Sequence, residues 1–370
     1  MCHLIRTRIH LAVLSAAVAA SMPLTAAVAA SGISSSPYQA IDLSPNQNGI
    51  AIANAISPSG LIGGYFDANG LVKYFGGLPA IFVPGGFTLL NNVPGFAFGT
   101  ITGINSAGQA AGWATTQIGP MPGYSHAALF SNGRATDLGA LPGGGNSQAN
   151  AIDAAGDAVG YSDVMTANGL VAHAVLFSHG TIKDLGTLPG GGYSVATAIN
   201  NRGQAAGYAA TASGLVHAVL FADGTVTDLG TLPEGSNSAA YGINDLGQVV
   251  GRSDYLSIDT YRAVLFENGT VKNLGTAPGG TSSYASGIND WGQVVGTSDG
   301  NGLGFNPALF QNGTAMLLPD LPTHLFGSAN AINDAGQIVG TTTVFPEGGG
   351  FHAVLWTLAH QFVLPRRPLR

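Results

Sequence analysis

Short runs of small apolar residues alternate with polar turns along most of the chain, and one such pattern recurs seven times. Its copies read NAISPSGLIGG, TGINSAGQAAG, NAIDAAGDAVG, TAINNRGQAAG, YGINDLGQVVG, SGINDWGQVVG and NAINDAGQIVG. In each, an apolar run ends in Ile, a polar turn closes on a glycine, and a second apolar run ends on another glycine. The turn glycine falls at Gly60, Gly108, Gly156, Gly203, Gly247, Gly292 and Gly336, with gaps of 48, 48, 47, 44, 45 and 44 residues. A period in this range marks one supersecondary unit repeated in space.

Each unit predicts four short strands. The run ending in Ile is the first. The following turn carries Asn or Asp at its first position and Gly at its fourth, where positive φ is needed. The first copy uses Ser57-Pro58-Ser59-Gly60, with Pro where φ near −65° is wanted. The second strand alternates exposed Gln with buried Val at period two. A loop of variable length leads to the third strand, read as PAIFV, HAALF, HAVLF, HAVLF, RAVLF, NPALF and HAVLW. Asn132-Gly133, His179-Gly180, Asp223-Gly224, Asn268-Gly269 and Asn312-Gly313 then signal tight hairpins. RATDLG, TIKDLG, TVTDLG and TVKNLG are fourth strands, and a longer crossover such as residues 187–197 reaches the next unit.

Three hairpins followed by a crossover trace one propeller blade. Such a blade buries its faces only against neighbours, and seven close into a ring. The expected fold is therefore all-β, a seven-bladed propeller of four-stranded blades. A parallel β-helix is the rival, but its coils are shorter and carry fewer tight hairpins. Residues 38–43, YQAIDL, resemble a fourth strand without a blade. The seventh repeat ends in HAVLW and a weaker HQFVLP. The N-terminal strand is thus expected to close the ring beside residues 352–356, leaving residues 357–370 as a weakly matching tail.

Only 8% of the residues are charged, and the formal net charge is −7. Residues 1–29 resemble a secretory signal, with Arg6 and Arg8 before an apolar core from Leu11 and small residues at Ala27-Val28-Ala29. Ser21, Pro23 and Thr25 interrupt this segment short of a membrane span. A secreted or periplasmic destination follows, extracellular favoured, with residues 30–370 as one domain. The single cysteine, Cys2, lies inside the signal, so the mature chain is expected to hold no disulfide. Removing Arg6 and Arg8 from the 12 basic residues leaves ten against 19 acidic ones. That balance argues against nucleic acid or an anionic membrane as partner.

The ordered succession His-Ala-x-Leu-Phe/Trp, Asp-Leu-Gly-Thr-Leu-Pro-Gly-Gly and Ala-Ile-Asn-x-x-Gly-Gln-Val-Val-Gly resembles the bacterial extracellular HAF-repeat family. The third position of the name-giving triplet is here Ala128, Val175, Val219 or Val354, so the likeness is to the wider pattern. It covers roughly residues 38–356. The resemblance implies export and a repeat architecture, and transfers no catalytic residue.

Candidate chemistry is sparse. His126, His173, His217 and His352 occupy equivalent third-strand positions on separate blades, too far apart to converge on one metal ion. They read as strand-start residues bonding a neighbouring loop, and Arg262 and Asn306 in their place are donors too. Asp137, Asp184 and Asp228 give way to Asn273 once, as expected of turn acceptors. Leu138, Leu185, Leu229 and Leu274 beside them are expected in the interblade core. Asp245, Asp290 and Asp334 read as solvated turn residues. The PGGG stretches at Pro142 and Pro189 lack the Lys and helix of a phosphate cradle and read as crossovers. No metal, cofactor or catalytic residue is assigned.

The segment after the second strand varies most, and loops on a rigid scaffold are where binding residues concentrate. Tyr65, Trp113, Tyr161 and Tyr208, then Arg252, Thr297 and Thr341, follow the second glycine; Tyr74, Tyr124, Tyr255, Tyr261, Phe305 and Phe345 come later, and Asp67, Asp163, Asp254, Asp259, Asp299 and Glu347 add carboxylates. If these share a rim, it offers aromatic platforms beside hydrogen-bonding groups, suited to sugars or extended peptides. Packing between blades, with Ser-Asp pairs closing turns, is the plainer reading of the same residues. The expected function is a non-enzymatic binding or scaffold propeller for an extracellular polysaccharide or protein. The alternatives are a glycan hydrolase or lyase at the odd first repeat (Asp67, Lys73, Tyr74) and a structural surface component.

Overall fold

The computed structural model describes residues 36–44, 49–68, 77–116, 123–167, 169–300, 304–322, 324–344 and 350–359. The signal-like segment and the end of the C-terminal tail lie outside the described residues. Among the described ones there are 28 strands and no helix. They form seven four-stranded antiparallel sheets, and six of these run in simple sequence order. The blades span residues 50–89, 98–139, 147–186, 194–230, 238–273, 283–317 and 324–358, numbered 1 to 7 below. Blade 5 shows the pattern: Ser238–Ile243, Val249–Tyr255, Ser257–Glu267 and Thr270–Asn273. The first strands of successive blades touch around the whole cycle, so they form the inner wall of a seven-bladed propeller.

Blade 7 takes its fourth strand from the other end of the chain. Tyr38–Asp42 lies antiparallel to Phe351–Leu358, with Tyr38 opposite Leu358 and Asp42 opposite Val354. The period-two alternation of this strand places its side chains in two cores. Tyr38 and Ala40 pack between blades 6 and 7, and Ile41 and Leu43 between blades 7 and 1. The closure read from YQAIDL is the one found.

One register differs from expectation. In blade 1 Tyr65 pairs with Pro79 and Gly64 with Ala80, whereas in blade 3 Tyr161 pairs with Ala174 and Gly160 with Val175. The counterpart of HAVLF is therefore LPAIF, and Leu78, not Pro79, stands at the histidine position. PAIFV looked equivalent because its own apolar alternation tolerates a shift that only cross-strand pairing excludes.

The repeated glycines have separate causes. The turn glycines from Gly60 to Gly336 all have φ between +72° and +92°. The second glycine of each repeat, inside the second strand, answers to a bulge in the first strand, present in every blade. The bulge pushes a first-strand carbonyl toward it: a Cβ on Gly251 would sit 1.9 Å from the Ala239 oxygen, and one on Gly160 1.8 Å from that of Gln148. Bulges of this kind bend a strand at the cost of one irregular pair.

Seven apolar clusters lie in the seven spaces between blades, each drawing on both neighbours. Leu138, Leu185, Leu229 and Leu274 belong to four of them. Sheets packed this closely favour Ala, Gly and Val over large side chains, which accounts for the composition.

Polar contacts also run from blade to blade. Asn105, Asn200, Asn244, Asn289 and Asn333 each donate Nδ2 to the turn carbonyl of the next blade, at 3.0–3.1 Å, and Asn333 reaches Ser57 across the closure. Their Oδ1 atoms cap their own turns, as in Asn105 with the amides of Ala107 and Gln109. Asp153 holds the equivalent place in blade 3. It caps the Ala155 and Asp157 amides but, ionised, has no hydrogen to donate onward. Burial, and the Asp157 carboxylate beside it, push Asp153 above its ordinary range despite those amide bonds. A carboxyl raised on folding favours the native state below its unfolded pKa and loses that contribution as pH rises through the folded value. Asp153→Asn is therefore expected to stabilise the protein by about 1 kcal/mol at pH 7. The gain should vanish near pH 3; thermal melts at the two pH values compare directly, and an equal gain at both would refute the assignment.

Candidate functional site

The chain path sorts the connections onto two rims. Turns joining first to second and third to fourth strands share one rim, the turn rim. Loops joining second to third strands, together with the crossovers, share the other, the loop rim. Most groups capable of chemistry turn out to hold these connections in place.

The histidines pair with the aspartates. His126, His173 and His217 reach Asp137, Asp184 and Asp228 through Nδ1 and Oδ2 at 2.7–2.8 Å, across the third and fourth strands of one blade. The other oxygen, Oδ1, accepts the amide two residues on, from Gly139, Gly186 and Gly230. The turn-acceptor reading holds, and the histidine's partner is this same carboxylate. In blade 7 the pair is His352 with Asp42 at 2.8 Å, so the motif bridges the closure. Burial pushes the Asp42 carboxyl up, but bonds from His352 and Ser44 outweigh it and hold it below its ordinary range. Where the histidine is lost, the aspartate is lost as well. Blade 5 has Arg262 and Asn273, blade 6 Asn306 and Leu317, blade 1 Leu78 and Leu89. Among the described residues no group of three His, Cys, Asp or Glu side chains is placed to hold a metal.

Asp245, Asp290 and Asp334 are not simply solvated. Each accepts the turn amide of the preceding blade, from Asn201, Asp245 and Asp290 respectively, at 2.8–2.9 Å. On the loop rim Asp163 and Asp254 accept Asn146 and Asn237 Nδ2 at 2.8 and 2.7 Å. Asp299 is held by the Thr281 amide, the Thr281 hydroxyl and the Ser282 amide at 2.6–2.7 Å. These carboxylates anchor crossovers, as the Ser-Asp turn reading expects. Asp67 ends the second strand of blade 1 and is buried. Tyr74 and Lys73 lie outside the described residues.

The aromatic candidates divide. Tyr65, Trp113, Tyr161 and Tyr208 are not loop residues. They sit inside second strands, half-buried and paired on both sides. Burial pushes Tyr65 up to about 12, with the Asp67 charge adding to it. Tyr161 and Tyr208 are raised further by the same cause. Tyr124 stands exposed on the loop rim, and Tyr255 ends the second strand of blade 5 with Arg262 over its ring, 4.4 Å from the centroid. The structure does not bring the ten described candidates together at one point.

What it does bring together is part of that aromatic set, Tyr261 and Phe305, with Tyr241 and Tyr284, around an arginine that was given no role. Arg252 follows the second glycine of blade 5, where four other blades carry an aromatic residue. Its guanidinium lies 4.5 Å from the Tyr261 centroid, 5.5 Å from Tyr284 and 5.9 Å from Tyr241. Tyr261 meets Tyr284 at 5.5 Å, and Tyr284 meets Phe305 at 5.2 Å. Tyr261 and Phe305 enter third strands and Tyr284 enters a first strand, so the cluster opens on the loop rim between blades 5 and 6. Beside it Leu256, 73% exposed, holds φ +61° at the loop tip, a conformation unfavourable for leucine. The sequence signal was the lone arginine in an otherwise aromatic or Thr column.

A second unforeseen element is a buried serine. Ser147, Ser194, Ser238 and Ser283 each accept a third-strand amide of the preceding blade at 2.8–2.9 Å and donate to the glycine carbonyl closing its fourth strand at 2.5–2.6 Å. Their constant spacing of eight residues from Gly139, Gly186, Gly230 and Gly275 was the signal.

No family model matches the chain, and no curated protein matches it in sequence. Among solved structures it is similar to a gluconolactonase from Xanthomonas campestris, at 10% identity and TM-score 0.43 over 87% of this chain and 90% of that one. A sialidase from Trypanosoma rangeli matches at 9% identity and TM-score 0.40, over 84% of this chain and 54% of the sialidase. A puromycin-hydrolysing peptidase from Mycobacterium tuberculosis matches at 12% identity and TM-score 0.39, over 72% of this chain and 45% of the peptidase. Likenesses at this level carry no argument about site or activity.

Proposed function

We propose that the protein is an exported propeller that binds an extracellular polysaccharide on its loop rim without turning it over. The observation that carries this reading is the division of labour among side chains. The recurring imidazoles and carboxylates are engaged in the frame, whereas the half-buried rings of Tyr241, Tyr261, Tyr284 and Phe305 collect at one place on the rim around a single cation. Aromatic faces with polar edges suit the alternating C–H and hydroxyl surfaces of a sugar. The signal-like N-terminus and the likeness to exported repeat proteins support the extracellular setting.

Titration calorimetry of the purified protein against a panel of extracellular polysaccharides tests it. Saturable heat that stops is expected, and Tyr261→Ala should weaken binding by roughly tenfold, about 1.4 kcal/mol. Heat continuing at constant power would mean turnover and replace this reading with a glycan-active enzyme. Silence across the panel would move the role to a protein ligand or a structural surface.

A further inference from the structure

Blade 5 departs from the repeated frame at three places, and each change serves the loop rim. Asn54, Thr102, Asn150, Thr197 and Asn330 occupy the first-strand bulge and bond a carbonyl of the next blade at 2.7–2.9 Å. Blade 5 has Tyr241 there, and the ring stands beside Arg252. The aromatic column after the second glycine is broken by Arg252 itself. The His–Asp pair is replaced by Arg262 with Asn273, and the Arg262 guanidinium bonds the Tyr261 and Thr281 carbonyls. Among the described residues, Arg252 and Arg262 are the cations of the loop rim; Arg134, Lys183, Arg202 and Lys272 belong to the turn rim or the fourth strands near it.

Arg252 is also short of partners. A guanidinium carries five N–H donors in one plane. Tyr241 and Asp254 act on it electrostatically, but no carboxylate among the described residues comes within ion-pair distance of Arg252. Rings stacked on the faces of a guanidinium leave its edge free, and that edge matches a carboxylate bidentately.

Resting on the binding function proposed above, we infer that this cluster is a subsite for the carboxylate of an acidic sugar, a uronic acid unit within a glycan chain, with Arg252 gripping the carboxylate and Tyr261 and Tyr284 flanking the ring. The negative net charge does not oppose this. Charges more than about 8 Å away are screened at physiological salt. The nearby carboxylates are oriented toward their own donors, Asp254 toward Asn237 and Asp299 toward three, and neither pairs with Arg252. An acidic peptide offers the same carboxylate without a pyranose for the rings.

The test compares polygalacturonate, alginate and hyaluronan with their carboxyl-reduced neutral counterparts, and with poly-glutamate, by titration calorimetry on the wild-type protein. At least one acidic glycan should bind roughly 10- to 100-fold more tightly than its reduced form. Arg252→Gln should remove that preference, so that the variant binds the acidic polymer no more tightly than its reduced form. If acidic and reduced glycans bind equally, the carboxylate subsite is refuted and glycan binding stands. If poly-glutamate binds as tightly as the best acidic glycan, a peptide partner replaces both readings. Silence across all six glycans refutes both. The wild-type comparison needs no variant to fold; for Arg252→Gln, an unfolding midpoint within a few degrees of wild type shows that the ring is intact.

Discussion

A chain lacking residues 36–43 is expected to lose its cooperative unfolding transition, or to melt at least about 10 °C below the intact protein. The strand removed holds blade 7 on both of its faces. Tyr38 and Leu43 are almost fully buried, in the cores on opposite sides of that blade. Burial of two such side chains contributes about 3–6 kcal/mol, a large part of the 5–15 kcal/mol that keeps a domain folded. The His352–Asp42 bond goes with them, and the edge of Phe351–Leu358 is left unpaired. Trp356, fully buried beside the gap, reports the outcome, and its fluorescence should shift to the red. A synthetic peptide of residues 36–44 added in excess should restore part of the midpoint. An unchanged midpoint after the deletion would mean that the ring does not depend on this strand.

The second large effect falls on a single methyl group. Gly251→Ala is expected to destabilise the protein by about 3 kcal/mol or more, lowering the midpoint by roughly 5–10 °C. The added Cβ meets backbone, with the Ala239 oxygen at 1.9 Å, the Ala240 Cα at 2.8 Å and the Ala239 carbonyl carbon at 2.9 Å. Backbone cannot swing aside as a side-chain end can, so relief requires undoing the bulge or parting the first two strands of the blade. Gly192→Ala is the control. It lies in a crossover, has no neighbour within 4 Å and no positive φ. Its change should stay within about 0.5 kcal/mol. Equal effects at both sites would show that the bulge is soft.

These two predictions also mark where the sequence could be read. Repeat number, turn chemistry and closure were legible because each is written locally: a period, an Asn-Gly pair, a stray YQAIDL. The bulge was not, because an extra residue in one strand shows only against its partner. The second glycine was visible in all seven copies, yet its cause is a carbonyl on another strand. The His–Asp pairs were missed for the same reason. Taken singly, His173 and Asp184 show no link; their constant spacing of eleven residues, and their loss together in blades 1, 5 and 6, carry the information. For the site, the residues after the second glycine were recognised as unusual but placed in a loop. Strand pairing continues past that glycine, so Tyr161 and Tyr208 face a neighbouring blade. Arg252 is an exception to an aromatic column, and the exception is what the other rings gather around.

The closing strand also sets an order of events. Tyr38–Asp42 precedes every blade in the chain, yet its partner strand is the last of the seventh blade, and the His352–Asp42 bond spans 310 residues. Bringing together the ends of a flexible loop of that length costs on the order of 5 kcal/mol in chain entropy before any contact is gained. The cost shrinks once the intervening blades have stacked and carry the two ends near each other. Docking of the strand is therefore expected late in folding, after the blades have stacked, because it is the most non-local pairing in the chain. Until then the outermost edge of blade 7 is open, and any strand of suitable alternation can occupy it, including the same segment of a second copy.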